Sequence, residues 1–202
     1  MHGRAAAPAA GTVLNALATG FGSAFAIDAH TTATVDLDRS GTVTGEVAGV
    51  PDADTRLVER CVELALDDYG PNDRDGPTGG HVRTESEVPM AAGLKSSSAA
   101  ANATVLATLD ALEVPVVDDP NGDEGSDGDP AAARVDACRL GVRAARDAGV
   151  TVTGAFDDAS ASMLGGVTVT DNTGDELLAH DAVGWDVLVW TPDERAYTAD
   201  AD

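Results

Sequence analysis

Lysine is nearly missing from this chain. Lys95 is the only one among 12 basic residues, and the rest are Arg. Against them stand 35 Asp and Glu, for a formal net charge of -23. A phosphate backbone would meet like charge over most of such a surface, which argues against nucleic acid as the main partner. Aromatic residues make up 3% of the chain, and no window approaches the ~18 apolar residues of a membrane-spanning helix. Cysteine is limited to Cys61 and Cys138. Each falls among apolar residues of a helix-like stretch and reads as a buried free thiol of a reducing cytoplasm, with a bridge between the two as the alternative. The opening segment, "MHGRAAAPAAGTVLNALATGFGSAFA", imitates a secretion signal in composition. Pro8, Gly11, Asn15, Thr19 and Gly20 interrupt any continuous apolar stretch within it, so a cytoplasmic protein is expected.

What is present describes a folded domain. The 202 residues allow one domain or two small ones, and with 43% hydrophobic residues the core needs no disulfide staples. Acidic residues occur in every region alongside abundant Ala, Gly, Val and Thr. That pattern suggests adaptation to high salt, where screening makes self-repulsion tolerable.

Periodicity divides the chain as follows. Residues 24–38 alternate and carry β-branched side chains, predicting a strand; "RSG" turns into a second strand, "TVTGEVAG". Residues 51–70 predict an amphipathic helix with Leu57, Val58, Cys61, Val62, Leu64 and Ala65 on its apolar stripe, Asp52 or Asp54 as cap and Gly70 at its end. "GGHVRTESEVP" reads as a strand. Residues 96–112 read as a helix whose first turns are unusually small, letting its backbone approach a strand or a ligand closely. Residues 118–130 are an acidic loop, better read as a solvated insertion than as a calcium site. Pro130 is expected to open a helix ending at Gly149, followed by a strand "VTVTD", a turn "NTGDE" and a buried strand "WDVLVWTP". The order predicts an α+β fold of mixed sheet and packed helices.

Two segments carry chemistry. "PMAAGLKSSSA", residues 89–99, puts Gly93, Lys95 and three hydroxyls where a strand becomes a helix. Free N–H groups and the positive dipole end of a helix start bind phosphate. Small residues let the backbone wrap it, Lys95 adds charge, and Ser96, Ser97 and Ser98 offer oxygens to phosphate or Mg²⁺. The pattern is not a Walker A loop, because Leu94 separates Gly93 from Lys95. An ordinary helix start is the competing interpretation. The second segment, "GAFDDASASMLGG", holds Asp157 and Asp158 among small residues. An Asp there could accept a hydroxyl proton, or could simply cap a short helix.

Together the segments resemble the GHMP kinase superfamily of small-molecule kinases. Its phosphate loop runs Pro-x-x-x-Gly-Leu-[Gly/Lys]-Ser-Ser-[Ala/Ser]-Ala, and Pro89, Gly93, Leu94, Lys95, Ser96, Ser97, Ser98 and Ala99 match at each fixed position. Asp158, Ser162 and Gly165-Gly166 keep a second family spacing. The Ala-Pro-Gly-[Arg/Lys] start of galactose and mevalonate kinases is replaced here by Ala7-Pro8-Ala9-Ala10. Instead "AAGTVLNALATGFGSAFAID" and "GAFDDASASMLGG" resemble the archaeal-type shikimate kinases of this superfamily.

The resemblance implies an N-terminal domain of the ribosomal protein S5 domain 2-like kind over residues 1–180. It implies a ferredoxin-like C-terminal domain of which residues 181–202 are only the beginning, so that the sequence is expected to be a fragment. It implies ATP and Mg²⁺, with transfer of the γ-phosphoryl group to the 3-hydroxyl of shikimate. Pro89, Met90, Ala91, Ala92, Gly93, Leu94, Lys95, Ser96, Ser97, Ser98 and Ala99 would cradle the phosphates, Ser97 would contact the metal, and Asp158 would act on the hydroxyl. Asp147 is a candidate acidic metal ligand by position only. Arg4 and Arg83 are available to a substrate carboxylate. A homoserine kinase-like enzyme and a non-catalytic nucleotide-binding module are the alternatives.

Overall fold

A computed structural model describes residues 1–71, 76–88, 94–118, 131–151 and 155–189. The fold is organised on β2 (Phe21–Asp38), a strand of 18 residues. Its length lets it serve three partners. β1 (His2–Leu14) runs antiparallel along one edge. The other edge is shared, with β4 (Gly79–Ser86) pairing residues 31–38 and β7 (Val167–Asp171) pairing residues 21–25. β3 (Val43–Val47) adds to β4 in parallel, and β8 (Glu176–Asp181) adds to β7 antiparallel, so the six-stranded sheet is mixed as expected. The segment with the composition of a secretion signal spans β1 and the first residues of β2 in this sheet.

One face of the sheet is covered. Ala33, Val35 and Leu37 of β2 are buried at every second position, whereas Asp36 and Asp38 between and beyond them are exposed. Against the buried face lie α1 (Arg56–Tyr69), α2 (Ser96–Ala111) and α4 (Phe156–Leu164). The fourth helix, α3 (Arg134–Asp147), packs on these three. The stripe expected for α1 is the one observed: Leu57, Val58, Cys61, Val62, Leu64 and Ala65 are its buried residues.

α2 is buried on nearly all sides, which explains its small residues. Ala103, Ala107 and Ala111 recur every fourth position and pack with Ala7, Ala33 and Val35 of the sheet. Ala101, Val105 and Leu109 join the cluster formed with α1 and α3. Cys61 and Cys138 both belong to that second cluster as free, buried thiols, and burial pushes both thiols far above the usual range.

Three local expectations need correction. α1 is capped at Thr55, and neither Asp52 nor Asp54 is its N-cap. Thr55 donates its hydroxyl to Glu59 at 2.8 Å, while Asp54 holds the Arg56 guanidinium. The helix expected from Pro130 begins at Arg134, because Ala132–Ala133 (β6) pair in parallel with Val116–Val117 (β5), and pairing takes up backbone groups a helix would need. The stretch expected as a buried strand is not one over its described part: Trp185 is 62% exposed and Leu188 96% exposed. The strand in this region is β8, which lies earlier and which polar residues disguised. It earns its place by backbone pairing to β7, with side chains that are mostly exposed. Residues 119–130, 89–93 and 190–202, including most of the acidic loop, fall outside the described residues.

The charge predicts a solvent response. With a net charge of -23, melting temperature should rise between about 0.1 M and 2 M KCl as screening relieves repulsion, since the Debye length falls from ~10 Å to below 3 Å. A melting temperature that is flat or falls across a salt series would contradict this.

Candidate active site

α4 carries both carboxylates of "GAFDDASASMLGG" in its first turn, after Ala155 in a left-handed conformation. Adjacent residues on a helix point about 100° apart, so the two acids cannot share one environment. Asp157 faces the sheet. Its Oδ1 accepts the Asn172 amide at 2.9 Å, and Asn172 in turn accepts the Thr170 hydroxyl at 2.7 Å. The carboxylate lies so close to Gly22 of β2 that a Cβ there would come within 2.5 Å of it. Asp157 is therefore a buried structural acid.

Asp158 faces β1 and the start of α2. Three residues of α4 meet β1 in descending order. Asp158 contacts Thr12, Ala161 packs with Ala10, and Ser162 donates its hydroxyl to the Pro8 carbonyl at 2.6 Å. Residues 158, 161 and 162 share one helix face, and Ala10 and Thr12 share one strand face, which is why the contacts fall in register. The pairing of β1 with β2 shifts register between Pro8 and Ala9, leaving Asp28 and Ala29 of β2 unpaired with β1. Neither carboxylate caps its helix with a side-chain bond.

The lone lysine completes the group. Lys95 Nζ lies 3.0 Å from Asp158 Oδ2, with the Lys95 side chain 34% exposed and that of Asp158 5%. Thr12 donates its hydroxyl to the other oxygen, Oδ1, at 2.8 Å. Burial raises the Asp158 carboxyl above its ordinary value; the Lys95 ammonium opposes this, Asp157 adds to it, and the bonds from Lys95 and Thr12 oppose it, with a net upward shift. A carboxyl with raised proton affinity is better matched to taking a proton near neutrality than an exposed one.

Lys95 is also the residue before α2. It sits in a left-handed conformation, φ 54° and ψ 38°, and its side chain does not cap the helix. The first-turn N–H groups of α2 are thus left to other acceptors. Ser97 is exposed there, and Ser96 and Ser98 are half-buried. Beside them, a small cavity of about 30 Å³ is lined by Ser97, Ser98, Ala101 and Gly141 among others. Leu94 precedes this turn and its carbonyl accepts the Ala10 N–H at 3.3 Å, tying the loop to β1. Pro89 to Gly93 lie outside the described residues.

The structure thus brings Lys95 and Asp158 together and adds Thr12, which the sequence did not single out. Nothing local to Thr12 marks it; only the pairing of β1 with β2 and its packing on α4 place it there. Asp147 is elsewhere engaged, 2.8 Å from Arg60 on the α1–α3 surface. Among the described residues, no cluster of three His, Cys, Asp or Glu could hold a metal. Arg4 and Arg83 both align with Thr34 of β2, eight positions along β1 from Thr12, a span of about 26 Å, and Arg83 pairs with Glu46. Neither arginine reaches Asp158.

A helix start open to an anion, a lysine at that start and a buried carboxylate touching the lysine thus lie together on a mixed α+β domain. Solved structures share the fold. Methanococcus jannaschii mevalonate kinase superposes with a TM-score of 0.61 over 92% of this chain and 56% of its own, at 13% identity. Lactococcus lactis galactokinase complexed with galactose gives 0.58 over 87% of this chain and 46% of its own, at 16% identity. The family model for the GHMP kinases N terminal domain matches residues 56–166, and the chain belongs to that family. Among curated relatives, a shikimate kinase of Halobacterium salinarum is 67% identical over the whole of this chain and 65% of its own length. One from Methanosarcina mazei is 47% identical over the whole chain and 62% of its own. The chain therefore spans somewhat less than two thirds of these relatives' length. Among the described residues, no helix is long and apolar enough to cross a membrane.

Proposed function

We propose that this chain is the nucleotide-binding part of an ATP-dependent shikimate kinase, acting in the cytoplasm, in which Asp158 takes the proton of the acceptor hydroxyl. The observation that carries the reading is the Lys95–Asp158 pair at the uncapped start of α2. The identity to curated shikimate kinases over the whole chain supports the choice of substrate. Residues 1–180 form the N-terminal domain of this reading, and residues 181–202 lead into a second domain. The exposed Leu188 supports that boundary, and Trp185 meets this domain through an edge contact with Phe25 while staying 62% exposed.

In this reading each residue has a stated task. The N–H groups at the start of α2, with Leu94, Lys95, Ser96, Ser97, Ser98 and Ala99 and the preceding Pro89 to Gly93, hold the triphosphate of ATP. Lys95 neutralises charge on the transferring group. Asp158 orients the acceptor hydroxyl and receives its proton, and its burial keeps water from competing for that role. For Mg²⁺, the fit is with one protein oxygen, the exposed hydroxyl of Ser97, beside the phosphates; when bound, the ion offsets phosphate charge. A site with few protein ligands suits an ion that keeps its waters and phosphates. Asp147 could join it only by leaving Arg60.

Two measurements test the reading. The full-length protein should phosphorylate shikimate and leave homoserine untouched in a coupled assay; the reverse preference would replace the substrate assignment. Lys95→Ala should weaken ATP binding by calorimetry about tenfold to hundredfold at fixed salt, the range for losing a charge-assisted hydrogen bond. Unchanged affinity would remove Lys95 from the phosphate site.

A further inference from the structure

The two oxygens of Asp158 are held by groups of different kinds. Oδ1 accepts from Thr12, 2.8 Å away on β1. Thr12 is fixed by its strand, where it pairs with Ala24 of β2. A threonine hydroxyl has a single proton, so once it is given to Oδ1 the geometry of that oxygen is set. Oδ2 faces Lys95 at 3.0 Å, and Lys95 is on a long side chain one third exposed at the mouth of the site. A bound triphosphate would compete for that ammonium, whereas nothing in the proposed reaction competes for Thr12.

We propose that Thr12 is a positioning residue whose hydroxyl tethers Oδ1 of Asp158, which assigns Oδ2 as the oxygen that receives the acceptor's proton. This rests on the reading of Asp158 as the base. The acceptor O–H bond breaks with its proton passing to Oδ2, and its oxygen bonds to the γ-phosphorus. The bond from that phosphorus to the β–γ bridging oxygen breaks, with its electron pair leaving on ADP. As Lys95 turns toward phosphate, Oδ2 loses a neutralising neighbour and gains basicity, while Thr12 keeps the carboxylate from rotating. Among the described residues, the charged and hydrogen-bonding groups facing Asp158 are Lys95 from the start of α2, Asp157 from α4 and Thr12 from β1, and Thr12→Val changes only the last of them.

The test is a carboxyl-carbon NMR titration of Asp158 in the nucleotide-free, full-length protein. Thr12→Val keeps the shape and removes the donor; Thr12→Ser keeps the donor. Thr12→Val should raise the proton affinity of Asp158 roughly threefold to tenfold, because a bond that favours the ionised form is lost, and Thr12→Ser should restore the wild-type midpoint. In turnover, Thr12→Val should lower kcat, leave the KM for ATP unchanged and move the acid limb of the kcat profile upward with the NMR midpoint. A Thr12→Val midpoint equal to wild type overturns the tether, whether or not the enzyme phosphorylates anything. A shifted midpoint in a protein whose Asp158→Asn form still turns over normally overturns the base assignment instead.

Discussion

Asp158→Asn is expected to reduce phosphoryl transfer by about a hundredfold to ten-thousandfold, the range for removing a positioned general base, with ATP affinity near wild type. The asparagine has nearly the same shape and can still accept from Thr12, so that contact is kept while the proton acceptor and the ion pair with Lys95 are gone. Stability should move the other way. Burial raises the Asp158 carboxyl in the folded protein, so the folded state binds the proton more tightly than the unfolded chain does. For such a group the favourable contribution is present at low pH and is lost as pH rises through the folded-state value. At neutral pH the ionised Asp158 therefore weakens the fold, and Asp158→Asn should melt above wild type there, with the gain shrinking in acid. Lys95, being one third exposed, can solvate its ammonium when its partner is neutral. Loss of turnover together with a lower melting temperature would point to a structural carboxylate. Normal turnover would end the assignment.

The second large effect is expected far from the chemistry. Gly3 of β1 is buried where the strand crosses α2, and a Cβ on it would fall on the Ala107 carbonyl oxygen and the Ala111 nitrogen. These are backbone atoms of a helix packed on both sides, so no rotamer change relieves the clash. Gly3→Ala should then destabilise the protein by about 3 kcal/mol or more, at the upper end of overpacking costs. For a domain of this size that is a fall of roughly 6–12 °C in melting temperature. Gly184→Ala, where an added Cβ meets nothing within 4 Å, serves as the control and should be nearly silent. Because β1 also carries Thr12, a strand pushed off α2 should disturb the Asp158 contact too. A Gly3→Ala protein that melts with wild type would mean that β1 and α2 are not so closely packed.

How much of this was visible beforehand depends on the range of the interaction. The stripe of α1 was legible because Leu57, Val58, Cys61, Val62, Leu64 and Ala65 sit at helical spacing within one segment. Lys95 and Asp158 were legible as candidates, since each lies in a short pattern of small residues and hydroxyls. Their partnership was not, because 63 positions separate them and only the packing of α4 beside the start of α2 brings them to 3.0 Å. Asp157 and Asp158 looked equivalent. Helix rotation, fixed by Asn172 and Gly22 on one side and Thr12 on the other, gave them different surroundings. β8 escaped notice because a strand held by backbone bonds at an exposed position need not alternate, whereas the described part of the apolar run after it, Trp185 to Val189, stays largely exposed.

By itself the sequence determined local composition: one cation and three hydroxyls at a helix start, and an excess of acid over the whole chain. Tertiary structure alone decided which groups act together. Long-range pairing of β1 on β2, and the seating of α4 against β1, convert a lysine, a threonine and an aspartate from three distant segments into one site. The reason is that helix starts and apolar stripes are set by neighbours along the chain, while the company a carboxylate keeps is set by neighbours in space.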